Sequence, residues 1–262
     1  MRIALGVSYL GSRYLGWQSQ PCGNTVQDKL ELALQRFTAG PPVNTLCAGR
    51  TDAGVHGLMQ VVHFDTEIER SAISWMRGTN TYLPDDIAVQ WAAAVPDSFH
   101  ARASAIARRY VYVLLESPVR PSLESGRVGW VFRPLDQAAM EDAAARLLGE
   151  HDFTSFRAAA CQALSPVKTV QRIAISRHGA YWRFEFQANA FLHHMIRNIM
   201  GCLLAVGHGN QPPEWIDQVI AARSRDAAAP TFSPDGLYFA GPVYATEWGL
   251  PERTAAFEWL PG

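Results

Sequence analysis

Residues 168–188 read KTVQRIAISRHGAYWRFEFQA, and their pattern decides the fold class. Two runs rich in β-branched and aromatic residues, 168–177 and 181–188, are separated only by His178-Gly179-Ala180. So short a connection joins antiparallel neighbours, because a parallel pair needs a crossover of about a dozen residues or more. The stretch therefore predicts a β-hairpin. Upstream of it lie a β-rich run RRYVYVLL (108–115) and a helical pattern DQAAMEDAAARLL (136–148). Downstream, the spacing predicts a long apolar helix over 190–206, a short helix near 213–223 and a last strand near 237–247.

The first hundred residues follow the same grammar. Residues 2–9 alternate as a strand does, and Thr25 is placed to cap a helix VQDKLELALQRF (26–37). Val26, Leu30, Ala33, Leu34 and Phe37 fall on one face of that helix. A short strand near 44–48, a glycine-punctuated loop AGRTDAGVHG (48–57), a strand over 59–65, a helix near 70–80 and a strand near 87–95 complete this half. The expectation is an α+β chain of two related sheet-and-helix halves, 1–105 and 106–262, sharing one sheet. No low-complexity linker separates them, so the halves are expected to pack together.

Composition narrows the function classes. In 262 residues, 48% are apolar and 18% charged, which argues for a folded chain and against disorder. The first residues show no basic run before a long apolar stretch, and no uncharged apolar run reaches the roughly 18 residues of a membrane span. A cytoplasmic protein without membrane contact is expected. Cys22, Cys47, Cys161 and Cys202 form no CxxC pair. They read as reduced thiols, neither a zinc site nor a disulfide framework.

The formal net charge is −1, but its distribution is uneven. Segment 98–133 carries six Arg against two acids, and segment 153–200 carries five Arg and one Lys against one acid. These basic blocks are separated by acidic ones, so a fold that gathers them presents a cationic face. Of the basic residues, 21 are Arg; only Lys29 and Lys168 are Lys.

Three segments could carry chemistry. In Gly49-Arg50-Thr51-Asp52-Ala53-Gly54-Val55-His56-Gly57 the glycines allow positive φ and close approach to the backbone. Between them sit a guanidinium, a hydroxyl, a carboxylate and an imidazole. A surface turn capped by Asp52 is the plain alternative. The flanking apolar strands, however, set the loop at a sheet end, where sites are often built. In the second segment, Phe99-His100-Ala101-Arg102 precedes Arg108-Arg109-Tyr110-Val111-Tyr112. On a strand Arg108, Tyr110 and Tyr112 share one face, which reads either as an exposed stripe for stacking a base or as ordinary aromatic packing. The third is Asn189–Asn198, NAFLHHMIRN, where Arg197 follows His193 and His194 on an apolar helix. A cation so placed is exposed or paired with a carboxylate, and Asp52 is a candidate partner. Adjacent His193 and His194 point to different faces, unlike metal ligands four residues apart. No GxGxxG, P-loop or GxSxG occurs, so no metal and no cofactor is expected.

GRTDAGVHG, RRYVY and NAFLHHMIRN, in that order and spacing, resemble tRNA pseudouridine synthases of the TruA type. The resemblance extends over nearly the whole chain, through YLGWQSQP (14–21), NTYLPDDIAV (80–89), FTSFRAAACQ (153–162) and GLYFAGP (236–242). It implies two ferredoxin-like halves sharing a central antiparallel sheet flanked by helices. It also implies isomerisation of uridine to pseudouridine at positions 38, 39 and 40 of the tRNA anticodon stem-loop, by a homodimer without cofactor. Asp52 would be the catalytic nucleophile. Tyr110 would stack on the target base and remove a proton, and Arg197 would pair with the aspartate. Arg50, Thr51, His56, Arg102 and Arg108, with Tyr110, would bind substrate. Two other readings are a non-catalytic tRNA-binding or folding module, which would leave Asp52 dispensable, and a glycosidic-bond hydrolase, which would release free uracil.

Overall fold

The structure, a computed structural model, describes residues 1–159, 161 and 163–251. Of the 153–162 segment quoted above, Ala160 and Gln162 lie outside the described residues. The regular elements are, in chain order, β1 (Arg2–Tyr9), α1 (Val26–Thr38), β2 (Leu46–Cys47), β3 (His56–Asp65), α2 (Ala72–Asn80), β4 (Ile87–Val95), β5 (Ala105–Glu116), β6 (Gly129–Val131), α3 (Gln137–Ala145), β7 (Gly149–Asp152), β8 (Val167–His178), β9 (Tyr181–Ala188), α4 (Met195–Gly207), α5 (Trp215–Ala222) and β10 (Leu237–Tyr244). The fold class is α+β with mainly antiparallel strand pairing, as expected. The short strands β6 and β7 were not foreseen. The chain divides into two compact units, Met1–Arg108 with the described residues from Tyr238, and Arg109–Leu237.

In the first unit β1 pairs antiparallel with both β3 and β4, and β10 lies parallel to β3 with Tyr238 opposite His56. Thr25 starts α1 as anticipated. Its hydroxyl accepts from the Asp28 N–H while the Asp28 carboxylate accepts from the Thr25 N–H, a reciprocal cap that stabilises the helix by about 1 kcal/mol. The apolar face of α1 (Val26, Leu30, Leu34) joins Ile3, Leu5 and Val7 of β1, Val62 and Phe64 of β3 and Trp75 of α2 in one buried cluster. Trp75 stands edge-on to Phe37 and Phe64, with ring centroids 5.5 and 5.3 Å away.

In the second unit the predicted hairpin is β8–β9, with β7 antiparallel to β8. Along β9 every second residue is buried (Trp182, Phe184, Phe186, Ala188), the alternation that one packed sheet face requires. Met195, Ile199, Cys202, Leu203 and Val206 give α4 its buried face, and α3 packs on it. One boundary departs from expectation. The helix starts at Met195, five residues later than the apolar pattern predicts. Asn189 bonds the backbone instead, its Oδ1 accepting from the N–H groups of Ala190 (2.8 Å) and Thr169 (3.1 Å). Such local side-chain bonds compete with a helix start. His194, immediately before the helix, sits in the left-handed region at φ 63°.

Candidate active site

The loop between β2 and β3 is fixed at both ends and at its centre. At its entry, the Ala48 N–H donates to the Val61 carbonyl (2.8 Å), and the Gln60 amide grips Gly49, donating to its carbonyl at 2.5 Å. Thr51 is buried; its hydroxyl bonds Tyr9 Oη at 2.8 Å and its carbonyl accepts from the Trp17 N–H at 3.0 Å. Gly16 faces the same carbonyl so closely that a Cβ would come within 2.7 Å of it, which excludes any side chain there. A tight turn then runs from Asp52 to Val55, the Val55 N–H donating to the Asp52 carbonyl (3.1 Å) and Gly54 supplying the required positive φ of 81°. His56 closes the loop. It is buried, its Nδ1 accepts from the Gly11 N–H at 2.9 Å, and its ring lies 4.5 Å from that of Tyr238. The half-buried Asp52 thus sits between two anchor points of the loop, Thr51 and His56, while Arg50 is exposed.

A second turn of the same unit presents Arg102. Its backbone is held by His63 Nδ1, which accepts from the Ala101 N–H (3.2 Å), and by the Tyr244 hydroxyl, which donates to the Ala101 carbonyl (2.5 Å). His100 Nδ1 accepts from the N–H groups of Arg102 (3.1 Å) and Ala103 (3.2 Å). The Arg102 side chain is exposed. Burial pushes the Cys47 thiol up to about 11, and the charges of Arg50 and Arg102 oppose that rise. Both cations therefore act on one place beside the loop. Arg108, expected at a phosphate, is half-buried and donates to the carbonyls of Ala105 (3.1 Å), Arg102 (2.5 Å) and Ala48 (3.5 Å).

The second unit contains Tyr110 and Arg197. Tyr110 is nearly buried on β5, edge-on to Phe191 at 5.2 Å between centroids. Tyr112 is wholly buried, donates to the Ser233 carbonyl at 2.9 Å and packs against Phe232 at 5.7 Å. Of the two readings of the face that carries Arg108, Tyr110 and Tyr112, the structure bears out aromatic packing and not an exposed stripe. Arg197, half-buried in the first turn of α4, donates from Nε to the Phe232 carbonyl at 2.9 Å. The next residue, buried Asn198, donates to the Phe156 carbonyl (2.7 Å) and accepts from the Thr231 hydroxyl (2.6 Å).

The family model described as tRNA pseudouridine synthase matches residues 6–102 and 143–245. The chain belongs to the tRNA pseudouridine synthase family. Membership makes it an enzyme, an isomerase of the class that converts uridine in tRNA to pseudouridine. Arg50, Asp52, Arg102 and Arg197 fall within the matched residues, and Arg108 and Tyr110 between the two matched stretches. The chain is 72% identical to tRNA pseudouridine synthase A of Polaromonas naphthalenivorans, over 100% of both chains. It is 70% identical to the protein of that name from Acidovorax ebreus, again over 100% of both. A chain in a solved Cbf5-Nop10-Gar1 complex overlays 86% of this one and 60% of itself, with a TM-score of 0.37 and 12% identity, too distant to carry an argument. Among the described residues no helix is long and apolar enough to cross a membrane.

Proposed function

We propose that the enzyme isomerises uridines 38, 39 and 40 in the anticodon stem-loop of tRNA, in the cytoplasm, as a homodimer and without cofactor, with Asp52 as nucleophile. The observation that carries the assignment of Asp52 is the turn itself, which holds one carboxylate half-exposed between the buried, bonded Thr51 and His56. In the reaction the N1–C1′ bond breaks, the uracil rotates, and a C5–C1′ bond forms. The hydrogen on C5 leaves to water and N1 takes up a proton, so neither redox equivalents nor phosphoryl groups are exchanged. A carboxylate acts at the sugar as nucleophile and stabilises positive charge that develops there.

Tyr110 stacks on the extruded base, offsetting part of the few kcal/mol needed to unstack it, and its hydroxyl relays the C5 proton to water, giving up its own proton as it accepts that one. Arg197 serves as the cation that keeps Asp52 ionised. Arg50 and Arg102, exposed and acting on one place, contact backbone phosphates. Thr51 and His56, whose polar atoms bond Tyr9 and Gly11, serve substrate binding by shaping the loop. The test is tritium release to water from tRNA labelled at uridine C5, with wild type and Asp52→Asn side by side. Wild type releases tritium and Asp52→Asn does not, while tRNA affinity changes by no more than a few fold. Turnover by Asp52→Asn at the wild-type rate would remove Asp52 from the mechanism.

A further inference from the structure

Arg108 joins the start of its own strand and the turn before it to a segment sixty residues away. Its Nη2 reaches the carbonyl of Arg102 (2.5 Å) and that of Ala48 (3.5 Å), and its Nη1 reaches that of Ala105 (3.1 Å). Ala48 is the entry to the Asp52 loop, four residues before the carboxylate, and it is itself pinned to Val61. Arg102 lies in the turn that His63, His100 and Tyr244 hold by its backbone. A planar guanidinium with five N–H donors spans carbonyls in several directions at once, which the single ammonium of lysine does not. Directed at carbonyls of the fold, these donors are not aimed at a phosphate.

We propose that Arg108 is a positioning residue for the reaction: it fixes the Asp52 loop against the Arg102 turn, so that a tRNA held by that turn meets the carboxylate in register. The inference rests on Asp52 being the reacting group. It separates two tasks within one unit. Arg102 holds RNA and contributes to affinity; Arg108 contributes to the rate of the bound complex, because misplacing a reacting group by about an ångström costs as much as a hundredfold.

The test uses single-turnover tritium release at saturating C5-labelled tRNA, with Kd measured over a range of salt and binding stoichiometry taken as the fraction of competent enzyme. Arg108→Lys and Arg108→Met are expected to slow the bound complex by about ten- to a hundredfold. Kd, the slope of log K against log salt, and stoichiometry should match wild type, and Lys should not rescue. Arg102→Ala, by contrast, should weaken Kd and flatten the slope by about one. The proposal is overturned if Arg108→Met flattens the salt slope at an unchanged saturated rate, which makes Arg108 a phosphate contact. It is equally overturned if the rate is unchanged throughout, or if lost stoichiometry accounts for the whole loss of rate. Asp52→Asn in the same series keeps the two readings apart: full turnover there sinks the role of Asp52 whatever Arg108 does.

Discussion

Arg197 and Phe232 bind each other in both directions: Arg197 Nε donates to the Phe232 carbonyl at 2.9 Å, and the Phe232 N–H donates to the Arg197 carbonyl at 3.1 Å. The loop segment that fixes the guanidinium is itself tied down, by Thr231 to Asn198 and by Tyr112 to Ser233. A long flexible side chain is thereby reduced to one direction, and its ordering is offset by bonds made within the second unit.

Arg197→Lys removes the Nε donor and leaves the Phe232 carbonyl without it. Loss of one such bond costs about 1 kcal/mol. Because this chain is large, the expected fall in Tm is only about 2–4 °C. Turnover should drop more than stability, since an ammonium takes no fixed direction from Phe232. Calorimetry and single-turnover tritium release on the same preparation separate the two effects. An active variant with unchanged Tm would show that the reciprocal bond fixes nothing.

Tyr110→Phe keeps the ring that stands edge-on to Phe191 and loses only the hydroxyl. Stability should fall by no more than the worth of one hydrogen bond, about 1 kcal/mol. If the phenol transfers a proton, turnover falls by a factor of about 100 or more. Near wild-type turnover would leave Tyr110 a packing role alone.

Arg50→Ala and Arg102→Ala should each weaken tRNA binding and lower the salt slope by about one. Both side chains are exposed, so neither change should move Tm measurably. Filter binding between low and physiological salt reads the slope directly; an unchanged slope would make that arginine irrelevant to phosphate.

Stability should fall with acid through His63. Burial, followed by the charges of Arg2 and His100, lowers its pKa to about 4, against the opposing pull of Asp65. An unfolded histidine titrates near 6.5. Between those values the unfolded chain binds a proton that the folded chain does not, so stability is complete above about 6.5 and is lost progressively as pH falls toward 4. The protonated ring also ceases to accept from the Ala101 N–H, loosening the turn that carries Arg102. Urea titrations at several pH values should show this slope, and His63→Gln should flatten it. An equal slope in the variant would assign the acid sensitivity elsewhere.

Much of the fold was legible locally. Thr25 capping α1, the apolar face of that helix and the turn at 178–180 are each set by residues within a few positions of one another, where propensity and spacing act. The loop bearing Asp52 was legible for a related reason: glycines and polar groups packed into nine residues have few other uses. The beginning of α4 was not, because the period of apolar residues is blind to the bonds Asn189 makes with Thr169, twenty positions away.

The sequence by itself determined the fold class, the family, and that Asp52 stands on a glycine-bounded turn, since all of these follow from short-range pattern. Only the tertiary structure decided which polar groups face the fold. His56 turns to Gly11, Tyr112 to Ser233, and Arg108 to three carbonyls, so none of the three reads as the exposed contact its residue type suggests. It also decided that β10, from the far end of the chain, lies parallel to β3 with Tyr238 against His56. The physical reason is common to these cases. Residue type fixes what a side chain can bond, but its partner is chosen by packing between segments far apart in sequence, where each buried donor must find an acceptor.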